Sequence, residues 1–504
     1  MLNKSVLALA SGVALSAPLA HAADKKEQKE LAEIRAEIRQ MKQEYEARLK
    51  ALEGQLQAAQ TDAAAAKAQL ATLAGAGKGA AEQGGAAAAA QASPAAAPPG
   101  AAPAMADAYV ETPAGYPTSS AAAPAAAPIG SAHTASNIFN PDISMILGGT
   151  LQNLSQDPNQ YRIQGFLPSG GDVGPGKRGF NLGESELTMA ANIDPQFSGQ
   201  LTFSLTGEDT VSVEEAFVQT RELANGMNLK FGRFLSSIGY LNSQHAHTWD
   251  FVDAPLVYQA MLGGQYKPDG IQAKWLAPID QYLELGIEAG NGASFPGNDR
   301  NRNGAGSVAV FAHLGDDIGD SSSYRAGLSY LHTAAHQRSY EDAGLTNAFT
   351  GRSNTLIADA IYKWAPNGNS TVTNFKLQGE YFRRKETGTL DYAIDTGAAA
   401  SGDYASNQSG WYLQGVYQFM PNWRVGARYD RLSSGTRDTS LLANMPILQA
   451  YSPERSSVMF DYSPSEFSRL RLQLARDESR PGVTDNQIFL QYIMSLGTHA
   501  AHSF

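Results

Sequence analysis

Two histidines stand one residue apart in the stretch SQHAHTWDF, Ser243 to Phe251, and an aspartate follows three residues after the second. In an extended chain His245 and His247 point the same way. Asp250 or Asp253 would complete an N/N/O donor set of the kind that holds zinc, so the pair is a metal candidate. It lacks the ligand count of a closed site, and its spacing differs from the His-x-x-x-His of helical zinc motifs. The competing reading has both imidazoles hydrogen-bonding a loop to its surroundings. A second pair, His499 and His502 in the tail GTHAAHSF, reads most simply as solvated. Choosing between these chemistries requires a compartment and a fold.

The compartment comes from the first residues, MLNKSVLALASGVALSAPLAHAADKK. Lys4, the apolar run Val6 to Leu19 and the small-x-small step Ala20-His21-Ala22 read as a secretory signal peptide over 1–22. No other stretch reaches the ~18 apolar residues of a membrane-spanning helix. The chain has no cysteine, which excludes disulfide staples and thiolate metal sites. Its formal charge of -11 argues against nucleic acid as a partner. No Gly-x-Ser-x-Gly elbow, P-loop or dinucleotide fingerprint stands in a strand-to-helix context, so neither enzyme activity nor a cofactor is expected.

Three textures follow. Apolar residues at Leu31, Ile34, Ile38, Met41, Tyr45, Leu49, Leu52 and Leu56 are spaced three or four apart. That spacing predicts an α-helical coiled coil within 24–73, with one stutter at Tyr45–Leu49. Residues 74–135 are mostly Ala, Gly and Pro and cannot bury enough surface to offset their ordering entropy, which predicts a disordered tether. From 139 to 504 the pattern alternates with period two. SRLRLQLAR sets Leu470, Leu472 and Leu474 against Arg469, Arg471 and Gln473; WRVGARYD and NFKLQGEYF behave alike. This is a strand signature, shared by soluble sandwiches and membrane barrels.

The connections separate those two. Sixteen strands are read, and every second joint is short, as in DPQ after Ile193, PID at 278–280 and MPN at 420–422. The other joints are mostly long: 155–179, 237–269, 291–306, 334–352, 386–408 and 434–453. An even strand number with short turns on one side and long loops on the other is the plan of an outer-membrane barrel. The expected fold is all-β: a closed 16-stranded antiparallel transmembrane β-barrel, preceded by the coiled coil and the Ala/Pro-rich tether. This parity puts the N-terminal segment in the periplasm.

The histidines then fall in the third outer loop, which contains SQHAHTWDFVDAPLVYQAMLGG and is too apolar for a solvent loop. It should fold into the barrel and pack Trp249, Phe251, Leu256, Val257 and Tyr258 on the inner wall. The barrel resembles the sixteen-stranded porins, whose third loop constricts the pore. The run GRFLSSIGYLNSQHAHTWDFVDAPL, Gly232 to Leu256, resembles the matching region of the phosphate-selective porin O/P-like family. That likeness implies an inward constriction loop carrying His245, His247, Trp249, Asp250 and Asp253. The loop has no Lys or Arg before Lys267, so the phosphate selectivity of that family is not carried over.

Strand parity sends Glu184, Glu186, Glu208, Glu215, Glu284 and Glu288 into the lumen from the first half of the sheet. It sends Lys376, Arg424, Arg428, Arg469 and Arg471 inward from the eleventh, thirteenth and fifteenth strands, as a basic wall facing Asp250 and Asp253. Asp430 and Asp461 are placed to pair with Arg428 and Arg469. The expected function is passive diffusion of small hydrophilic solutes or ions through a porin, as a homotrimer in outer-membrane lipid. The alternatives are a substrate-specific channel for a metal complex or an anion, and a barrel that tethers the coiled coil to the cell wall or a periplasmic partner.

Overall fold

The computed structural model describes residues 141–497, apart from 171–172, 184, 206–209, 222 and 299–302. The signal peptide, coiled coil, tether, Glu184, Glu208, His499 and His502 lie outside the described residues.

The strands run β1 Asp142–Leu154, β2 in two pieces (Gly179–Leu182 and Ser185–Asn192), β3 Phe197–Leu205, β4 Val211–Thr220, β5 Met227–Arg233 and β6 Asp269–Leu276. They continue as β7 Tyr282–Gly290, β8 Ser307–Ile318, β9 Ser322–Asp342, β10 Leu345–Trp364 and β11 Asn374–Tyr392. The last five are β12 Ala400–Met420, β13 Trp423–Asp438, β14 Glu454–Ser465, β15 Ser468–Arg480 and β16 Val483–Leu496. Each pairs antiparallel with the next, and β1 pairs with β16 from Met145↔Leu496 to Leu154↔Gln487. The sheet is therefore a closed ring with no free edge.

Alternation decides which face meets which medium. On β15, Arg469, Arg471 and Gln473 are buried, while Leu470, Leu472 and Leu474 are 40–50% exposed. On β16, Ile488, Leu490 and Tyr492 are likewise turned outward, and Gln487 and Ser495 inward. Water would favour the reverse arrangement. A closed sheet that is apolar outside and polar inside satisfies its backbone in lipid, and it crosses the membrane by strands. Among the described residues no helix is long and apolar enough to cross.

The expected long loops shrink where strands outrun the sequence pattern. Most of 334–352 is a hairpin rather than a loop. β9 and β10 are 21 and 20 residues long and join through Ala343 and Gly344. Both turn residues have positive φ (53° and 77°), the backbone that two-residue hairpins require. The period-two signal fails there because of an irregularity between Ala335 and Arg338, with Gln337 at φ 58°. Loop 386–408 shortens to 393–399 in the same way, because β11 and β12 continue toward each other.

Two other outer loops turn into the barrel mouth. Ile163, Phe166 and Leu167 of 155–178 are buried, as are Leu441, Met445, Ile447 and Leu448 of 439–453. Gly165 donates its N–H to Ile447 O at 2.6 Å and has φ 89°. A Cβ there would meet Ser434 Cβ at 2.4 Å, so only glycine fits this approach. A cavity of about 550 Å³ lies between the first of these loops, the α-helical residues Gln259 and Ala260 of the third loop, and the hairpin tips at Asp342 and Arg480; Tyr161 and Phe166 also line it.

Because the ring closes within the described residues, removal of Asp24–Ala135 should leave the barrel foldable. Purified truncated chain should keep the heat-dependent shift in gel migration of a folded barrel. Loss of that shift would contradict the boundary.

Candidate functional site

The third outer loop, 234–268, leaves β5 and returns to β6. Its two ends are clipped together at the neck. The Asn242 side chain donates to Ser236 O and Tyr266 O, each at 2.8 Å, and accepts from Tyr266 N–H at 2.7 Å. Glu288 of β7 takes the Ser236 hydroxyl at 2.5 Å and the Ser237 N–H at 3.0 Å. The clip turns the loop into the lumen, where Phe234, Ile238, Leu256, Val257, Tyr258 and Met261 have essentially no solvent exposure.

Pro255 precedes a short helix, α1 (Leu256–Leu262), and Gly263 ends it in the left-handed conformation at φ 68°. Every residue of α1 is buried. Its apolar side chains pack with Phe311 of β8, Leu331 of β9, Ile357 of β10, Phe382 of β11, Tyr412 of β12 and Leu432 of β13. An apolar patch on the lumen wall thus receives the apolar part of the loop. Glu380 of β11 binds beside it: the carboxylate accepts the Tyr240 and Leu241 N–H groups at 3.1 and 3.0 Å, and the hydroxyls of Tyr258 and Tyr412.

The acidic part of the loop meets the basic wall directly. Asp250 lies 2.6 Å from Lys376 and 3.3 Å from Arg424, and accepts from Gln414 at 3.0 Å. Asp253 lies 2.8 Å from Arg428 and 2.5 Å from Arg455, and accepts from Gln473 at 2.9 Å. Backbone carbonyls of the loop take further guanidinium donors: Arg471 donates to Trp249 O at 2.7 Å, Arg455 to Ala254 O at 2.7 Å, and Arg469 to His247 O. Arg428 also lies over the Phe251 ring, 4.6 Å from its centroid. The predicted acids and bases are in contact rather than facing each other across a gap. The predicted pairing of Asp430 with Arg428 is present at 3.0 Å, but Asp461 pairs with Arg471 and Arg424, not Arg469.

Charge balance sets the titration of the loop. Burial alone would raise Asp253; Arg455 and Arg428 outweigh it and bring the carboxyl down to about 2. Asp250 is lowered for the same reason, with Lys376 and Arg424 overcoming its burial.

The histidine side chains meet the first strands of the ring. His245 Nδ1 is 3.0 Å from Glu186 Oε2 on β2 and 3.4 Å from Glu214 Oε2 on β4. Its Nε2 is 3.0 Å from Glu215 Oε2 on β4, and His247 Nδ1 is 2.8 Å from Glu186 Oε1. Burial would lower the His245 imidazole, but Glu186, Glu214 and Glu215 hold it well above its ordinary range. Neither Asp250 nor Asp253 completes a donor set with the histidines, contrary to the sequence expectation, because both are committed to the basic wall. Glu186 stands there instead. Sequence reasoning put Glu186 in the lumen without linking it to the loop. It missed Glu214, which parity sends outward, and it overlooked Arg455 and Glu380, whose parity is inward.

The Asp253 shift has a direction in pH. A carboxyl lowered in the folded state contributes stability above its ordinary value of 3.8, and that contribution is lost as pH falls through about 2. Loop docking should therefore be insensitive to Asp253 from pH 8 to about 5 and weaken between about 4 and 2. Trp249 fluorescence, isolated by subtraction of a Trp249→Phe variant, should shift red only in that acid window. A shift near neutral pH would contradict the pairing.

No protein-family model matches the chain. By structure the barrel is similar to a loop-deletion mutant of OmpT, an outer membrane protein of Vibrio cholerae, at 12% identity and a TM-score of 0.45, over 71% of this chain and 99% of that one. It is also similar to an anion-selective porin from Comamonas acidovorans (11%, TM-score 0.43, 71% and 99%) and to the outer membrane channel DcaP of Acinetobacter baumannii (12%, 0.42, 71% and 97%). By sequence it is 31% identical over 391 residues to an uncharacterized protein of Aquifex aeolicus (strain VF5), across 73% of this chain and 80% of that one. This chain belongs to the family of that Aquifex aeolicus protein.

Proposed function

We propose that this protein is a channel of the bacterial outer membrane for passive diffusion of small hydrophilic solutes or ions, with loop 234–268 as its constriction. The observation that carries the reading is the position of that loop. It leaves the sheet, enters a polar lumen and touches inward side chains from β2 round to β15. A barrel with a merely structural role has no need of a loop so thoroughly tied across its lumen. The cavity between the outer loops leads to Gln259 and Ala260 of α1, which suits a vestibule above the constriction. The N-terminal segment would lie in the periplasm, and a homotrimer joined through the coiled coil at 24–73 is part of the same reading.

In this reading solute passes where the loop meets the wall, so the ion pairs set both the width and the charge of the path. Breaking one partner of a buried pair costs about 3–5 kcal/mol, because the other charge is left uncompensated. With Asp250 and Asp253 neutral, Lys376, Arg424, Arg428 and Arg455 lose loop counter-charges, and hydration of the lumen becomes the cheaper state.

Reconstitution into planar bilayers tests this. The wild-type chain should give discrete single-channel steps. Asp250→Asn with Asp253→Asn should increase conductance and move the reversal potential in a salt gradient toward anions. A wild-type protein without steps, together with a double variant that is equally silent though folded, would overturn the channel reading.

A further inference from the structure

We propose that Glu186, His245 and His247 form a binding site for a divalent first-row transition-metal ion, with Glu214 as a fourth ligand and Glu215 as the outer partner that orients His245. One ligand atom from each of the first three residues lies within 4.8 Å of the others, and all three residues are buried. Zinc binds imidazole nitrogen and carboxylate oxygen at about 2.0–2.2 Å, which puts neighbouring ligands about 3.4 Å apart. Closing the set therefore takes side-chain movements of about an ångström. The imidazole centroids are 5.6 Å apart with the rings 36° from parallel, so both rings already converge on Glu186.

The fourth position is built by the backbone. In the pairing of β3 with β4, Thr202 faces Glu215 and Phe203 faces Val213, which leaves Glu214 as the extra residue of a bulge. Ordinary alternation would send Glu214 to the lipid when Glu215 faces the lumen. The bulge buries both carboxylates, a re-aiming that such irregularities provide beside functional sites. Glu214 Oε2 makes no hydrogen bond among the described residues, yet it lies 3.4 Å from His245 Nδ1. A buried carboxylate oxygen with no nearer contact than that imidazole nitrogen is placed to take a metal ion when the imidazole gives up its proton.

The outer contacts complete the pattern. Glu215 Oε2 faces His245 Nε2 at 3.0 Å, and its Oε1 accepts the Leu235 N–H at 2.9 Å. A carboxylate on the far nitrogen of a ligating imidazole fixes the ring and strengthens it as a donor. Three carboxylates around two neutral imidazoles would offset a dication and leave one negative charge. Two imidazole nitrogens with carboxylate oxygens and no sulfur suit zinc and its first-row neighbours better than calcium or magnesium. The ion would cross-link the loop to β2 and β4.

The test uses zinc alone on the full-length chain in detergent, stripped with chelator and titrated by calorimetry at neutral pH. One zinc per chain is expected. His245→Gln and His247→Gln should each abolish binding, Glu215→Gln should weaken it about ten- to a hundredfold, and His499→Gln with His502→Gln should leave it unchanged. If a site variant fails to fold, cobalt in the wild-type chain decides: X-ray absorption should report two imidazoles in its shell. The proposal is overturned if wild-type chain takes up no zinc, if zinc survives the His245/His247 double substitution, if it is lost with the tail pair, or if bound cobalt lacks two imidazoles. Binding is read without conductance, so this result and the channel reading stand or fall separately.

Discussion

A barrel that points charged side chains into its lumen must find each of them a counter-charge or water. Here the wall does not balance itself. Lys376, Arg424, Arg428 and Arg455 share wall acids only in part, and loop residues Asp250 and Asp253 make up the difference. The loop is bound by the same rule in reverse, since Glu380 and Glu288 on the wall collect its N–H and hydroxyl groups. Two acids three residues apart match two stations on the basic wall, and this match fixes the register of the loop. The apolar patch that receives α1 is a further station of the same docking.

Much of this was legible because barrel strands repeat one simple rule. Leu470, Leu472 and Leu474 against Arg469, Arg471 and Gln473 assign a face to every residue of β15 without reference to any other strand. The third loop betrayed itself by being too apolar for water, and Phe251, Leu256, Val257 and Tyr258 are indeed buried inside the ring. The partners of the histidines were not legible. His245 and Glu215 are 30 residues apart, and His247 and Glu186 are 61 apart. Their meeting depends on how deep the loop penetrates, which no local pattern encodes.

The two clearest misreadings share one cause. Near Gln337 and at Glu214 the strand carries an extra residue, and period-two reasoning fails from that point on. In one case it turned a hairpin into a loop; in the other it sent a buried glutamate to the lipid. A bulge leaves no mark in the alternation except its breakdown, which looks the same as the end of a strand. Such breakdowns within otherwise long strands are where side chains can be re-aimed, so they are poor places to stop reading.

The outward face of β11 also marks where the hydrocarbon ends. Phe375, Leu377 and Tyr381 face outward, and Arg383 and Lys385 follow in the same row. Six steps of about 3.3 Å from 375 to 381 cover about 20 Å along the strand, and a tilt of about 40° turns that into about 15 Å of the roughly 25 Å apolar band below the charged row. Beyond that line β9 to β12 continue into water, while β5 and β6 are only 7 and 8 residues long. The tube is cut obliquely, like a quill. On the proposed channel reading, the tall side would add a series resistance ahead of the loop in electrical terms, and in diffusive terms would screen one half of the approach. On that reading, solutes arriving over the low rim would meet the loop after the shorter path, and the capture cross-section would be lopsided even though the ring of strands is closed.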